Sequence, residues 1–313
     1  KLKQNVDTLI VTQPKFISTL NSFLTEHPID DLKTLLRWDT FVSSASRLTE
    51  EIEVANWEFY SKYLRDAKKM RPANERALSA VNNNVGEALG QLYVDAKFPP
   101  EAKENAEEMI ANVIAAYQAR IQELDWMSDE TKIKAIEKLD KFTVKIGYPN
   151  TWEDYSTMEV NKGNTYFENI SAINKWSTAK NLSEMGEPVD KTEWGMSPQT
   201  VNAYFNPLNN EIVFPAAILQ APFYDYLADD AVNYGGIGAI IGHEISHAFD
   251  DSGARFDANG NLVNWWSEED LKQFTTRGDA LAAQYSKIEV LDSVYINGKF
   301  TLGENIGDLG GVL

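Results

Sequence analysis

The chain has 313 residues and a formal net charge of −18 at pH 7. This negative charge excludes nucleic acid as an expected partner, because binding to phosphate groups needs clustered Lys and Arg side chains. The absence of cysteine excludes disulfides, thiolate metal ligands and thiol nucleophiles. No apolar run approaches the ~18 residues of a membrane span, and a chain of this length predicts about two domains.

The N-terminal half is predicted to be mostly helical. The run Val6 to Val11 is rich in branched apolar residues and predicts a strand, and Pro14 then begins a helix. Residues from about 29 to 139 are almost entirely helical in pattern, with Ser128 as an N-cap. The helices carry apolar stripes that we interpret as core packing: Phe16, Ile17, Leu20, Phe23 and Leu24, and later Met109, Val113, Tyr117, Ile121 and Leu124.

The pattern changes after a polar loop from Asn150 to about Gly163. Val201 to Phe205 and Glu211 to Pro215 are short β-rich runs joined by turn-forming residues, which predicts a hairpin. A long apolar helix is predicted from about Asn233 to Asp250, and Ser267 begins another in an S-x-x-D capping pattern. The sequence therefore predicts an α+β fold that is mostly helical, with its strands concentrated near one motif.

That motif is His243-Glu244-Ile245-Ser246-His247. Two of the chain's three histidines are four residues apart, which places them on the same face of a helix. Two imidazoles at this spacing can bind one metal ion, and H-E-x-x-H is the pattern of zinc peptidases. Glu244 is predicted to act as a base on a water molecule at the metal. The apolar flanks argue against a chance surface pattern, because polar groups on a buried helix need partners.

The residues leave the third metal ligand open between two candidates. Catalytic zinc usually has three protein ligands. A metzincin would need Gly and His where this chain has Asp250 and Gly253, so a carboxylate is predicted instead. The Glu268-Glu269 pair is one option, although acidic residues are common in the first turn of a helix. Glu304 is the other, and Asp308 could then hold the free ring nitrogen of a ligand histidine.

Several further segments match one family in its order and at its approximate spacing. They are Val201–Phe205, Ile212–Gln220, Tyr234–Gly238, His243–Asp251, Trp265-Trp266 and Gly303–Asp308, with weaker similarity at Glu87–Val94, Asp125–Met127 and Ile146–Pro149. Together they resemble the neprilysin family of zinc endopeptidases, peptidase family M13, over essentially the whole chain. Because it lacks cysteine, the chain is more similar to the bacterial oligopeptidase branch known as PepO.

The resemblance implies a role for each matching residue. The implied ligands of one Zn²⁺ ion are His243, His247 and Glu304. Glu244 would be the general base, and Asp308 the partner of a ligand histidine. The implied substrate-binding residues are Asn202 and Ala203, which would hold the peptide backbone, and Ile218, Phe223 and Ile240, which would line a pocket for bulky apolar side chains.

The resemblance also implies an architecture. A thermolysin-like catalytic domain, formed by residues 1–40 and 161–313, would face an all-helical lid domain formed by residues 41–160. The cavity between them would admit only short peptides. The family uses a histidine and an arginine nearer its C-terminus, and neither can be assigned on this chain, so we interpret the sequence as part of a longer protein. The expected location is the bacterial cytoplasm, with the cell surface and secretion as alternatives.

The predicted function is that of a zinc-dependent endopeptidase that cleaves short peptides on the amino side of bulky hydrophobic residues. The alternative is a metal-stabilised binding or scaffold protein without turnover, which is also the expected state of an isolated fragment. A structural zinc site usually has four protein ligands. Only three convincing ligands are found here, and Glu244 would have no purpose in such a site. An exopeptidase would need an anchor for a peptide terminus, and none is identifiable.

Overall fold

The computed structural model describes residues 10–313, which are mostly helical. The helices are α1 Pro14–Glu26, α2 Ile29–Ser44, α3 Glu50–Trp57, α4 Ala73–Asn84, α5 Gly86–Lys97, α6 Pro100–Glu123, α7 Asp129–Asp140, α8 Tyr166–Ser183, α9 Asp230–Gly235, α10 Ile237–Ser246, α11 Glu268–Tyr285 and α12 Leu302–Val312. The strands are β1 Thr143–Gly147, β2 Tyr204–Asn206, β3 Glu211–Pro215, β4 Glu289–Leu291 and β5 Val294–Tyr295. The predicted strand Val6–Val11 falls largely outside the described residues.

The chain forms two compact units. The first comprises Lys1–Arg76 and Ser156–Met185, and the second comprises Ala77–Tyr155 and Gly186–Leu313. The domain boundaries near 40 and 160 stay predictions, and the range 41–160, expected to be helical, also contains the strand β1. Among the described helices, none is both long and apolar enough to cross a membrane.

In the first unit, the apolar face of α1 is exposed. Its five stripe residues, expected in the core, are between 36% and 59% exposed, and the helix contains no buried residue. An amphipathic helix buries its apolar stripe only where another element covers it, and no described element does so here. The core-packing prediction was therefore wrong for α1.

The second unit contains a three-stranded sheet with β3 at its centre. Strand β1 pairs with β3 in parallel, and β2 pairs with β3 antiparallel, so that Val144 and Phe205 both lie beside Ile212. The β2–β3 pair confirms the predicted hairpin. Strand β1 was not predicted. It carries Lys145, whose ammonium forms a buried ion pair with Glu211 at 2.7 Å, and this charge interrupts the apolar pattern of a buried strand.

The core of the second unit surrounds α10. Ile237, Ile241 and Ile245 on this helix are fully buried. Met109 and Ile121 of the α6 stripe are also buried, and the remaining stripe residues pack against the same core. The prediction that this second stripe is core packing is confirmed.

The predicted long helix Asn233–Asp250 is interrupted. Helix α9 ends at Gly235 and α10 begins at Ile237, because Gly236 adopts φ −100° and ψ −95°, outside the helical region. The amide of Ile237 donates to the carbonyl of Phe223 at 2.8 Å. A Cβ at Gly236 would lie 2.5 Å from that same carbonyl oxygen, so the glycine permits the close approach. Helix α10 then ends at Ser246, with His247 as its C-cap.

Two predicted N-caps are confirmed at Ser128 of α7 and Ser267 of α11. The hydroxyl of each accepts a hydrogen bond from the third amide of its helix. Asp270, however, does not complete a capping box with the backbone of Ser267. Its carboxylate is buried and accepts hydrogen bonds from the hydroxyls of Ser128 and Thr131, the second at 2.6 Å, and thereby joins the starts of α7 and α11.

Candidate metal centre

Helices α10 and α12 pack together through glycines. A Cβ at Gly307 would lie 2.8 Å from two atoms of the His243 ring, and one at Gly311 would lie 2.2 Å from the carbonyl oxygen of Ala239. Both distances are too short for any side chain, so glycine is required for the two helices to approach this closely. The approach brings the first turn of α12 beside the last turn of α10.

Three ligand atoms meet at this contact. His243 Nε2 lies 3.3 Å from Glu304 Oε2, and His247 Nε2 lies 3.8 Å from the same oxygen. One ligand atom from each of the three residues lies within 4.8 Å of the others. The two rings are nearly perpendicular, at 89°, with their centroids 4.6 Å apart. The i, i+4 spacing therefore places both histidines beside one carboxylate.

The other ring nitrogen of each histidine bonds to a carboxylate. His243 Nδ1 lies 2.9 Å from Asp308 Oδ1, and His247 Nδ1 lies 2.7 Å from Asp250 Oδ2. An ionised carboxylate can only accept, so Nδ1 of each ring donates and carries the proton. This tautomer leaves the Nε2 lone pairs free for a metal ion.

The sequence analysis assigned no role to Asp250, which the structure places against His247. Its second oxygen, Oδ1, accepts from the amides of Ser252 at 2.8 Å and Gly253 at 2.6 Å, so the loop fixes the carboxylate. Burial lowers the pKa of His247, but the hydrogen bond and the charge of Asp250 raise it above its ordinary value. The available signal was the general tendency of metal-binding histidines to donate the free ring N–H to an acceptor, since Asp250 follows His247 by about one turn.

The donor set fits zinc. Two imidazoles and one carboxylate form a known catalytic zinc set, and tetrahedral bonds of about 2.0–2.1 Å place ligand atoms about 3.4 Å apart. The 3.3 Å between His243 Nε2 and Glu304 Oε2 agrees with this spacing, and the 3.8 Å to His247 is slightly wider. No thiolate competes for the role, because the chain has no cysteine.

The alternative ligands lie elsewhere. Glu268 and Glu269 occupy the first turn of α11, and Glu269 accepts a hydrogen bond from Gln273 at 3.3 Å. Neither belongs to the group formed by the two histidines and Glu304, which is the one such group among residues 10–313. Their position matches the acidic first turn that a helix dipole favours.

Glu244 is buried beside the two histidines, with 7% of its surface exposed. Burial raises the pKa of its carboxyl group and the charge of Glu304 adds to the increase, although His247 and His243 oppose it. A carboxylate with a raised pKa is a better proton acceptor near neutral pH. The geometry thus places a buried carboxylate beside the three grouped ligand atoms.

The five residues that the resemblance implies for substrate binding lie around β2, β3 and α10. Asn202 and Ala203 directly precede β2, and Asn202 is exposed whereas Ala203 is buried. Ile218 follows β3 and is buried in the core. Phe223 and Ile240 are partly buried and pack against the same core.

Comparisons with known sequences find one family. The sequence models described as peptidase family M13 match residues 1–149 and 202–313. A neutral endopeptidase of Lactobacillus helveticus is 36% identical over 312 residues, which cover 99% of this chain and 48% of that protein. The chain spans about half the length of the curated relatives it matches, between 43% and 55% for the first three.

Solved structures agree with these matches. A zinc metalloprotease of Mycobacterium tuberculosis, solved in complex with an inhibitor, superposes with a TM-score of 0.89 at 44% identity, covering 97% of this chain and 47% of that one. PepO of Lactobacillus rhamnosis superposes with a TM-score of 0.82 at 33% identity, covering 86% and 43%. The predicted resemblance and the fold class that it implies are confirmed.

Proposed function

The chain belongs to peptidase family M13, and we propose that it forms the zinc centre of an endopeptidase that hydrolyses short peptides. The relatives are zinc metalloproteases. The observation that carries the proposal is the group of three ligand atoms within 4.8 Å, with the buried carboxylate of Glu244 beside it. A purely structural zinc site usually has four protein ligands and no adjacent base.

The proposed ligands of zinc are His243, His247 and Glu304. A Zn²⁺ ion held by these three residues would supply Lewis acidity, which would polarise a carbonyl group and make water more acidic. Asp308 and Asp250 hold the two imidazoles in the tautomer that binds metal.

Glu244 is proposed as the general base. It takes the proton of the attacking water and passes it to the nitrogen of the leaving amine. Its raised pKa supports this role, because the same carboxyl group must both accept and release a proton near neutral pH.

The substrate is proposed to be an extended peptide with a bulky apolar side chain after the cleaved bond. In the sheet order β1-β3-β2, strand β2 lies at an edge, and the main chain at Asn202 and Ala203 leads into it. An edge segment can hold a peptide through main-chain hydrogen bonds. Ile218, Phe223 and Ile240 supply the apolar surface for its side chain.

The experiment compares wild type with the Glu244→Gln variant on a mixture of short peptides, both as this chain and within any longer protein that contains it. Zinc content should be the same in both, whereas hydrolysis should fall by at least about 10²-fold, since general-base catalysis contributes about that factor or more. Glu268→Gln, which changes a carboxylate of α11 outside the group, serves as the matched control and should keep both properties. Near-normal hydrolysis by Glu244→Gln would show that the assigned base is wrong.

The competing function is a metal-stabilised scaffold without turnover. It predicts that no peptide is cleaved under any metal loading, either by this chain or by any longer protein that contains it, whereas zinc raises thermal stability under both functions. Cleavage that requires zinc and Glu244 excludes the scaffold function.

The expected location, the bacterial cytoplasm, stays a prediction that cell fractionation can check.

A further inference from the structure

Lys138 is a buried ammonium group in the second unit. It lies near the end of α7, and only 1% of its surface is exposed. Its Nζ donates hydrogen bonds to three main-chain carbonyls, those of Ala248 at 2.8 Å, Gly253 at 2.8 Å and Phe256 at 2.7 Å. An ammonium group has three donors, so all of them are used.

The three carbonyls belong to one loop, residues 248–256, which begins directly after His247. Gly253 forms hydrogen bonds with both Asp250 and Lys138. Its amide donates to Asp250 Oδ1 at 2.6 Å, while its carbonyl accepts from Lys138. A Cβ at Gly253 would lie 1.8 Å from the carbonyl oxygen of His247, so the loop is folded tightly against the end of α10. Lys138 and Asp250 therefore both bond to the main chain of this loop.

The surroundings of the Lys138 ammonium are mostly apolar, apart from the loop carbonyls. Burial lowers the pKa of Lys138 to about 8, against the opposing charges of Asp250 and Asp257. Its three partners are carbonyl oxygens, which can only accept, so Nζ carries three protons and is an ammonium group. The rings of Phe205, Phe249 and Trp265 lie 5.8–5.9 Å from the nitrogen. A buried charge costs stability unless hydrogen bonds satisfy it, and here every bond goes to the loop that carries Asp250.

We propose that Lys138 is a positioning residue of the metal centre, which fixes the 248–256 loop so that Asp250 holds the imidazole of His247 in its metal-binding orientation. The proposal rests on the proposed zinc ligands but not on peptide hydrolysis. Without the ammonium group, the carbonyls of Ala248, Gly253 and Phe256 lose this donor. The carbonyl of Gly253 keeps a hydrogen bond from the amide of Phe256 at 3.0 Å, whereas the other two must turn toward water. Asp250 is bonded to the same loop and would move with it.

The first experiment measures the zinc dissociation constant of Lys138→Met by competition with a coloured chelator. Loss of a group that orients a ligand typically weakens metal binding about 10–100-fold, and we expect a loss in this range. The absorption spectrum of the Co²⁺-substituted chain should also change. Lys134→Met is the matched control, because Lys134 lies one turn earlier on α7 and pairs with the exposed Glu130 at 2.8 Å. It should leave both readouts unchanged.

A double-mutant comparison tests whether Lys138 affects zinc binding through Asp250. If Lys138 acts through this carboxylate, Lys138→Met combined with Asp250→Asn should bind zinc no more weakly than Asp250→Asn alone. Losses that multiply in the double variant would show that Lys138 acts independently, and would overturn the proposal.

The inference can also be tested on the Lys138→Arg variant, through its zinc affinity and its amide hydrogen exchange. This test remains available if Lys138→Met does not fold. Arginine keeps the charge, but its planar guanidinium cannot direct three bonds at converging carbonyls as an ammonium can. We expect weaker zinc binding and faster exchange at Ser252 and Gly253 in the metal-free chain. A folded Lys138→Arg variant with wild-type zinc affinity and unchanged exchange overturns the inference. A wild-type chain that binds no zinc would contradict the proposed function, while the exchange comparison still tests the positioning of the loop.

Discussion

The carboxylate of Asp250 lies 2.7 Å from Nδ1 of His247, and only 7% of the Asp250 side chain is exposed. The equivalent partner of His243 is Asp308, which comes from another helix and is 71% exposed. The two histidines of one motif are thus oriented in different ways, the first by an exposed residue of α12 and the second by a buried residue of its own loop.

Asp250→Asn should weaken zinc binding more than Asp308→Asn. A buried hydrogen bond to a charged group is screened less by water than an exposed one, and Asp250 is further fixed by two backbone amides. The expected losses lie within about 10–100-fold, with Asp250→Asn at the upper end. Zinc dissociation constants of the two variants check this, and an equal or larger loss in Asp308→Asn contradicts it.

Glu304→Gln should remove most of the bound zinc, because it replaces the carboxylate that lies 3.3 Å from His243 Nε2. Elemental analysis of the purified chain measures the result. Glu269→Gln is the control, since Glu269 lies in the first turn of α11 outside the group. If zinc survives Glu304→Gln but not Glu269→Gln, the assignment of the third ligand is wrong.

Gly307→Ala should destabilise the chain by about 1–3 kcal/mol, the typical cost of adding a methyl group to a well-packed contact. The new Cβ would lie 2.8 Å from atoms of the His243 ring, so zinc affinity should fall as well. Gly235→Ala has no atom within 4 Å of its Cβ and should change stability by less than about 1 kcal/mol. Urea unfolding of the two variants provides the comparison, and equal destabilisation would contradict the predicted clash.

The buried carboxylate of Asp270 should make stability depend on pH in the acid range. Burial opposes ionisation, but hydrogen bonds from Ser128 and Thr131 lower its pKa to about 2 from an ordinary value of 3.8. Its contribution is therefore complete above pH 3.8 and is lost as the pH falls through about 2.

Asp270→Asn tests this dependence. The difference in unfolding free energy between wild type and variant should be largest above about pH 5 and shrink toward pH 2. Asp279→Asn, which breaks an exposed ion pair with Lys299 on the surface of α11, should cost at most about 1 kcal/mol. A difference for Asp270→Asn that stays constant from pH 5 to pH 2 would contradict the lowered pKa.

Features that depend on local chemistry could be predicted from the sequence. The α6 stripe, the caps at Ser128 and Ser267, and the β2–β3 hairpin each follow from residues close together in the chain. The group formed by His243, His247 and Glu304 was predicted because helical spacing and family resemblance point to the same residues.

Features that depend on tertiary contacts could not be predicted in this way. The break at Gly236 exists because Ile237 bonds to Phe223, which no local pattern encodes. Strand β1 was missed because Lys145 suggests an exposed position until its partner Glu211 is known. Lys138 was missed for the same reason, since a lysine in an amphipathic helix usually faces water.

The glycine contact between α10 and α12 brings the proposed metal ligands together in the folded chain, so metal binding should depend on folding. Two proposed ligands precede the long helix α11 in sequence and the third follows it, so an ion held by all three would cross-link distant parts of the chain. A metal that binds only the folded chain adds its binding free energy to the stability of the fold. Chelation should therefore lower the melting temperature of this chain, and melting curves would report metal binding even where no peptide is cleaved.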